Sequence, residues 1–154
     1  MKTALLIATL MLSIASQSHA RVGETMLEIT ARFGLGQTTD KQRLEGAQTY
    51  KFSKNGFQVE VVISQGKSIW EIYQKQNVAG TFPSNDIEQL LEGYKEAKEN
   101  KRSWRFDRRE NRWESTGKPK LIAYLWPSHE DFFCIKDEAA CEALEKKSPG
   151  SKGL

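Results

Sequence analysis

Residues 48–74 read QTYKFSKNGFQVEVVISQGKSIWEIYQ, and their pattern predicts the central part of the fold. It contains three runs of alternating polar and apolar character, at 48–53, 57–64 and 67–74. Asn55-Gly56 and Gln65-Gly66 separate the runs, and both pairs are typical of two-residue hairpin turns. The stretch therefore predicts a three-stranded antiparallel meander.

The register of this meander follows from counting outward from each turn, because the side-chain period of a strand is two. The face predicted to be buried carries Phe52, Val59 and Ile72 in one row, and Tyr50, Val61 and Trp70 in the next. The face predicted to be solvated carries Lys51, Glu60 and Glu71, with Ser53, Gln58 and Tyr73 beside them. One apolar and one polar face indicate a sheet covered on a single side.

Helices and further strands are predicted on both sides of the meander. A capping box from Thr25 to Glu28 predicts a helix that ends at Gly34. A second helix after Pro83 has an apolar stripe made of Ile87, Leu90, Leu91, Tyr94 and Ala97. Strands are predicted at 102–107, 112–115, 120–126 and 131–136, and Asp137 is predicted to cap a last helix through Leu144. The predicted fold class is α+β: an antiparallel sheet built from two α-β-β-β units with the helices packed on one face, plus a short C-terminal helix.

In element order the chain resembles the tandem architecture of β-lactamase-inhibitor proteins and of small outer-membrane assembly proteins with a Gly-x-Thr helix start. It is also similar to small exported bacterial proteins of uncharacterised function. That similarity lies in the Phe33-Gly34 helix end, the Gly66-Lys67-Ser68 turn and the Leu90-Leu91 pair. The resemblance implies a fold and no activity.

Residues 1–20 have the pattern of a cleavable signal peptide: Lys2, an apolar run, and small residues at Ser18 and Ala20. The expected organisation is a signal peptide at 1–20, one α+β domain at 21–147 and a flexible tail at 148–154. No later stretch has the length of a membrane span, so we expect no membrane anchor after cleavage, and a periplasmic or secreted protein. Removing Lys2 leaves 22 basic and 20 acidic residues, a net charge of +2 that argues against a nucleic-acid partner.

Cys134 and Cys141 are the two cysteines of the chain. An even number in an exported protein predicts a disulfide, which would close a short loop. The alternative is two small buried apolar residues. The spacing fits neither a redox Cys-x-x-Cys motif nor a zinc knuckle.

Residues 101–113 have the most unusual composition, with six basic residues, two acidic ones and three aromatics. Aromatic stacking combined with guanidinium groups could hold a sugar, an anionic envelope polymer or an acidic protein surface. The alternative places the rings in the core and the arginines in water. The candidate binding residues are Trp104, Arg105, Arg108, Arg109, Arg112 and Trp113.

Other motifs offer little chemistry. Gly66-Lys67-Ser68 lacks the following helix of a phosphate-binding loop. Glu60 and Glu71, predicted to be neighbours on the solvated face, could do acid–base work or hold a cation, although Lys51 beside Glu60 favours an ordinary charge ladder.

The sequence therefore predicts a non-enzymatic binding module, an envelope accessory or inhibitor-like protein, without cofactor or metal. The alternatives are a small hydrolase or cation-dependent enzyme using Glu60 and Glu71, and a purely structural envelope component.

Overall fold

The computed structural model describes residues 21–76, 80–95 and 102–147. The predicted signal peptide, Ala97 of the predicted helical stripe and the predicted tail lie outside these residues. The helices and strands, in chain order, are α1 (Met26–Phe33), β1 (Gln37–Thr39), β2 (Gln48–Lys54), β3 (Phe57–Ser64), β4 (Lys67–Lys75), α2 (Ser84–Lys95), β5 (Trp104–Asp107), β6 (Arg112–Ser115), β7 (Leu121–Trp126), β8 (His129–Asp137) and α3 (Glu138–Glu145). Among the described residues, no helix is long and apolar enough to cross a membrane.

The predicted arrangement of two α-β-β-β units is wrong, because the eight strands form one continuous antiparallel sheet. Its order is β1-β2-β3-β4-β8-β7-β6-β5. Strand β8 lies in the middle, paired with β4 on one side and β7 on the other. The three helices are short, and they do not form two units packed on one face of the sheet.

Both faces of the sheet carry a core, which we call the first and second faces. On the first face, residues of α1 and α2 join those of the sheet, including Ile29, Leu90 and Phe133. On the second face, Cys141 of α3 packs with Trp70 and other side chains of the sheet. Residues 121–126 of β7 and 132–135 of β8 are continuous apolar runs, as expected for strands covered on both faces.

The two predicted hairpin turns are confirmed. Asn55 and Gly56 both have positive φ angles, of 53° and 78°, and Gln65 and Gly66 have 51° and 77°. These left-handed conformations suit the twist of two-residue hairpins. The predicted pairs of β2 with β3, Tyr50 with Val61 and Phe52 with Val59, are also confirmed.

The predicted register of β3 with β4 is wrong by one residue, because of a β-bulge. Ile63 pairs with Ser68 as the turn requires, but Val62 pairs with Trp70, and Ile69 is the extra residue. Ile69 and Trp70 both join the core of the second face. Every residue of β4 after the bulge therefore lies on the face opposite to the predicted one.

The predicted helix starts are confirmed by their caps. The Thr25 side chain accepts a hydrogen bond from the Glu28 backbone N–H, and the Glu28 carboxylate accepts one from the Thr25 N–H at 2.8 Å. The Asp137 carboxylate accepts from the Ala140 N–H at 3.0 Å at the start of α3. Local side-chain chemistry fixes these ends.

Candidate functional site

The bulge separates the two carboxylates that the sequence placed side by side. Glu60 lies on the second face, where its carboxylate accepts from Arg43 Nε at 2.8 Å and has Lys51 Nζ at 3.6 Å. Glu71 points to the first face instead, where it is 0% exposed. The hypothesis of an acid–base pair or cation site made by Glu60 and Glu71 is therefore wrong.

Glu71 lies at the centre of a buried hydrogen-bond network. Its Oε2 accepts from the hydroxyl groups of Tyr73, at 2.8 Å, and Tyr94 of α2. The Tyr94 hydroxyl in turn accepts from the backbone N–H of Val22 at 3.2 Å. Glu71 Oε1 is buried and has no hydrogen-bond partner among the described residues. This carboxyl group ties α2 and the chain before α1 to the sheet.

Burial raises the pKa of Glu71 to about 8, although the two tyrosine hydroxyl groups act in the opposite direction. Desolvation penalises the charged carboxylate more than two hydrogen bonds compensate. A perturbed carboxyl group often marks a functional site. Here the group is closed off from solvent, so its protonation bears on stability.

The two tryptophans of the predicted binding stretch belong to the core of the first face. Trp104 is half-buried, and its indole N–H donates to the Leu91 carbonyl at 3.1 Å. Trp113 packs against Phe106, with ring centroids 4.8 Å apart, and edge-on against Phe133 at 5.8 Å. Trp104 thereby joins the β5–β6 hairpin to α2, and Trp113 joins it to the core of the first face.

The arginines of that stretch do not form a common surface with the tryptophans. Arg105 faces Glu114 across the β5–β6 ladder, on the second face. Arg108 and Arg109 are exposed in the turn between these strands. The rings in the core and the arginines outside it fit the alternative interpretation of this stretch, because neighbouring positions on a strand point to opposite faces.

Arg102, in the same stretch, is a structural residue. Its guanidinium donates to the carbonyl groups of Pro119, at 2.6 Å, and Lys118, at 3.2 Å. A third hydrogen bond joins it to Ser115 Oγ at 3.2 Å. Arg102 thereby fixes the loop between β6 and β7.

A cleft of about 470 Å³ opens on the second face where β6 and β7 separate. Only Trp113 with Ala123 and Glu114 with Ile122 pair between these strands. Asn111, which has a left-handed φ of 50°, is the last residue of the turn between β5 and β6 and does not pair with β7. The tip of the β5–β6 hairpin therefore forms one wall of the cleft, and β7 forms the floor. The lining comprises residues 110–112, Ile122, residues 124–127 and Lys136.

Aromatic rings and cations contact one another in and next to this cleft. Trp126 stacks on Trp70 with centroids 5.6 Å apart and an interplanar angle of 13°. The Lys136 ammonium lies 5.8 Å from the ring centres of both Trp70 and Tyr124, and the Arg43 guanidinium lies 5.3 Å from that of Trp126. Cation–π contacts of this kind hold a cation in place without neutralising it.

The two cations that line the cleft differ in their partners. Arg112, the one predicted binding residue found here, has Nη2 2.8 Å from Glu114 and Nη1 3.0 Å from Glu138. In the part of the chain that the structure describes, Lys136 makes no salt bridge. Arg112 is held in the wall of the cleft by two glutamate side chains, whereas the positive charge of Lys136 is available to a ligand.

The cysteines lie beneath this region, and the structure does not support the predicted disulfide. Cys134 and Cys141 are both free and buried. Burial raises the pKa of each thiol to about 12. The alternative interpretation, two small buried apolar residues, fits this arrangement. Among the described residues, no group of three or more His, Cys, Asp or Glu side chains is placed to hold a metal ion.

Lys136, Tyr124 and Trp126 were not predicted as site residues. Alternation along β7 carried a usable signal, because Tyr124 and Trp126 share one face of the strand. Lys136 follows the apolar run 132–135 and precedes two acidic residues, so nothing in the sequence indicates that its charge is unpaired. The apolar residues on both faces of this hairpin instead suggested that it was covered completely.

Comparisons with known proteins identify no family. No family model matches the chain, and a search of curated proteins finds no significant match. Among solved structures, the chain is similar to a cysteine-rich secretory protein from Staphylococcus aureus, with 10% sequence identity and a TM-score of 0.39. The alignment covers 77% of this chain and 45% of that protein, so the chain spans less than half of its length. A similarity at this level supports neither a shared function nor the resemblance to β-lactamase-inhibitor proteins.

Proposed function

We propose that this protein is an exported, non-catalytic binding module that takes up a small anionic organic ligand in the cleft between β6 and β7. The proposal rests on the surroundings of the Lys136 side chain. Its ammonium lies in a concave site, over two aromatic rings and without a carboxylate partner in the described chain. A ligand carboxylate or phosphate would supply the missing charge.

The remaining lining suits binding of an organic molecule. Tyr124 and Trp126 are half-buried, so part of each ring is covered and part is open. Rings of this kind contribute large contact areas at a low cost in conformational entropy. Asn111 adds a side-chain amide, which can both donate and accept a hydrogen bond. A mainly apolar floor with a few polar groups is typical of small-molecule sites.

The wall residues are held in place before a ligand arrives. Arg112 is fixed by Glu114 and Glu138, and Glu114 is also 3.1 Å from Lys120. Asp107 Oδ1 accepts from the N–H of Arg109 at 2.8 Å, which orders the hairpin turn beside the cleft. A site fixed in this way loses less entropy on binding.

Calorimetric titration with acetate, inorganic phosphate, glucuronate and N-acetylalanine at low salt tests the proposal. We expect at least one of these anions to bind, and Lys136→Gln to weaken that binding by roughly tenfold or more, because a charge-assisted hydrogen bond is lost. Lys147→Gln is the matched control, since Lys147 is exposed beyond α3 and lies outside the cleft. Equal binding by wild type and Lys136→Gln, or no binding of any probe at millimolar concentration, would overturn the proposal.

A further inference from the structure

The backbone of β7 presents a hydrogen-bonding pair to the cleft, at Leu125. The Leu121 N–H points toward β6, where it donates to Ser115 Oγ at 2.9 Å. Backbone polar groups of a strand alternate between its two sides with a period of two residues. The N–H and C=O of Leu125, four residues along, therefore also point toward the β6 side.

On the β6 side, neither group pairs in the ladder or in another backbone hydrogen bond of the described residues. Continuing the β6–β7 ladder from Trp113 and Ala123 by two residues would place Asn111 opposite Leu125. Asn111 instead belongs to the turn between β5 and β6, and the ladder stops at Trp113. Leu125 lines the cleft, so its unpaired N–H and C=O are accessible to a ligand there.

A backbone pair of this kind selects a specific chemistry. An N–H and a C=O on one residue are complementary to the C=O and N–H of one residue in an extended peptide, as in strand addition to a sheet. A sugar acid or phosphate matches the Lys136 charge but does not reproduce this pair. Buried or half-buried backbone groups gain most from a partner that satisfies both.

We propose that the ligand is a short peptide with a free C-terminal carboxylate, an inference that rests on the proposed function. One residue of the peptide pairs with the N–H and C=O of Leu125, opposite which no residue of β6 pairs. The carboxylate lies at the Lys136 ammonium, and the peptide side chains contact Tyr124 and Trp126. Lys136 lies beside Ile122 in the sheet, three positions from Leu125 along β7. The Lys136 ammonium itself lies 5.8 Å from the ring centre of Tyr124, which neighbours Leu125, so at about 3.3 Å per residue a peptide of two to three residues reaches both groups.

The probes that test this inference are acetyl-trialanine, its C-terminal amide, and ester analogues in which one peptide N–H is replaced by oxygen. We expect acetyl-trialanine to bind more tightly than glucuronate or inorganic phosphate. Blocking the carboxylate as an amide is expected to weaken binding about tenfold or more. One of the ester analogues is expected to bind roughly two- to tenfold more weakly, because it cannot donate to the Leu125 carbonyl. The protein itself is unchanged in these comparisons, so altered folding cannot produce the effects.

The outcomes separate this inference from the proposed function. If glucuronate or phosphate binds and depends on Lys136 while acetyl-trialanine binds no more tightly, the peptide inference is wrong and the proposed function stands. If every ester analogue binds as well as the parent peptide, the pairing with Leu125 is wrong. If no probe responds to Lys136→Gln, both proposals fail.

Discussion

Replacing Glu71 by Gln is expected to remove most of the dependence of stability on pH between 4.5 and 8. Glutamine keeps an oxygen that accepts from the hydroxyl groups of Tyr73 and Tyr94, and it carries no charge. In the wild type the folded-state pKa of Glu71 is about 8, against 4.5 for an unperturbed glutamic acid. The two proteins therefore differ chiefly in the cost of ionising this buried group.

The sign and size follow from linkage between proton binding and folding. Because the folded-state pKa is raised, the stability that the proton contributes is fully present below about pH 4.5 and is lost as the pH rises through 8. Each unit of pKa difference corresponds to about 1.4 kcal/mol, so the wild type loses about 5 kcal/mol over this range relative to Glu71→Gln. Above pH 8 the difference levels off.

Urea unfolding of both proteins at each pH from 5 to 9 measures this difference in the free energy of unfolding. Glu60→Gln is the control, because it removes a carboxylate that is paired with Arg43 on the other face. We expect that variant to be less stable than the wild type throughout. A constant difference between Glu71→Gln and the wild type from pH 5 to 8 would refute the buried, protonated carboxyl group.

Two further predictions concern other buried groups. At pH 8, Cys134 and Cys141 are expected to react negligibly with a thiol reagent in the folded protein, because burial raises the pKa of each to about 12. Two thiols per chain are expected after unfolding without reductant, whereas a count of zero would show a disulfide. Arg102→Met is expected to lower the unfolding free energy by about 1.5–3 kcal/mol, since the carbonyl groups that it binds in the β6–β7 loop lose a charged donor. Arg109→Met, at an exposed turn position, is the matched control in the same urea titration, and an equal loss in both variants would contradict the structural role of Arg102.

Local signals in the sequence predicted local structure well. Asn55-Gly56 and Gln65-Gly66 form the turns that their residue types indicate, because positive φ angles are inexpensive at Gly and tolerated at Asn. The capping box at Thr25 also determined where α1 begins. These features depend on residues that are close together in the sequence.

The bulge at Ile69 could not be predicted in the same way. It allows Ile69 and Trp70 to enter the second core together with Cys141 of α3, residues that are about seventy positions apart. The same long-range packing explains why the sheet is continuous, since β8 pairs with β4. One extra residue in β4 moved Glu71 from the predicted solvated face into the interior.

The site was predicted only in part, for a related reason. The basic and aromatic composition of residues 101–113 identified Arg112, but composition does not show which face each side chain occupies. Trp104 and Trp113 lie on the first face, whereas the cleft is on the second. The cleft itself arises from the separation of β6 and β7 at Asn111, a feature of tertiary structure.

Mapping the binding surface by NMR tests whether the cleft between β6 and β7 is the ligand site. We would titrate uniformly ¹⁵N-labelled protein with acetyl-trialanine and, separately, with glucuronate. If the cleft is the ligand site, the largest shifts with at least one probe will be those of the backbone amides of Asn111 and Leu125 and the indole N–H of Trp126. Shifts concentrated at the exposed Arg108 and Arg109, or no shifts with either probe, would contradict it.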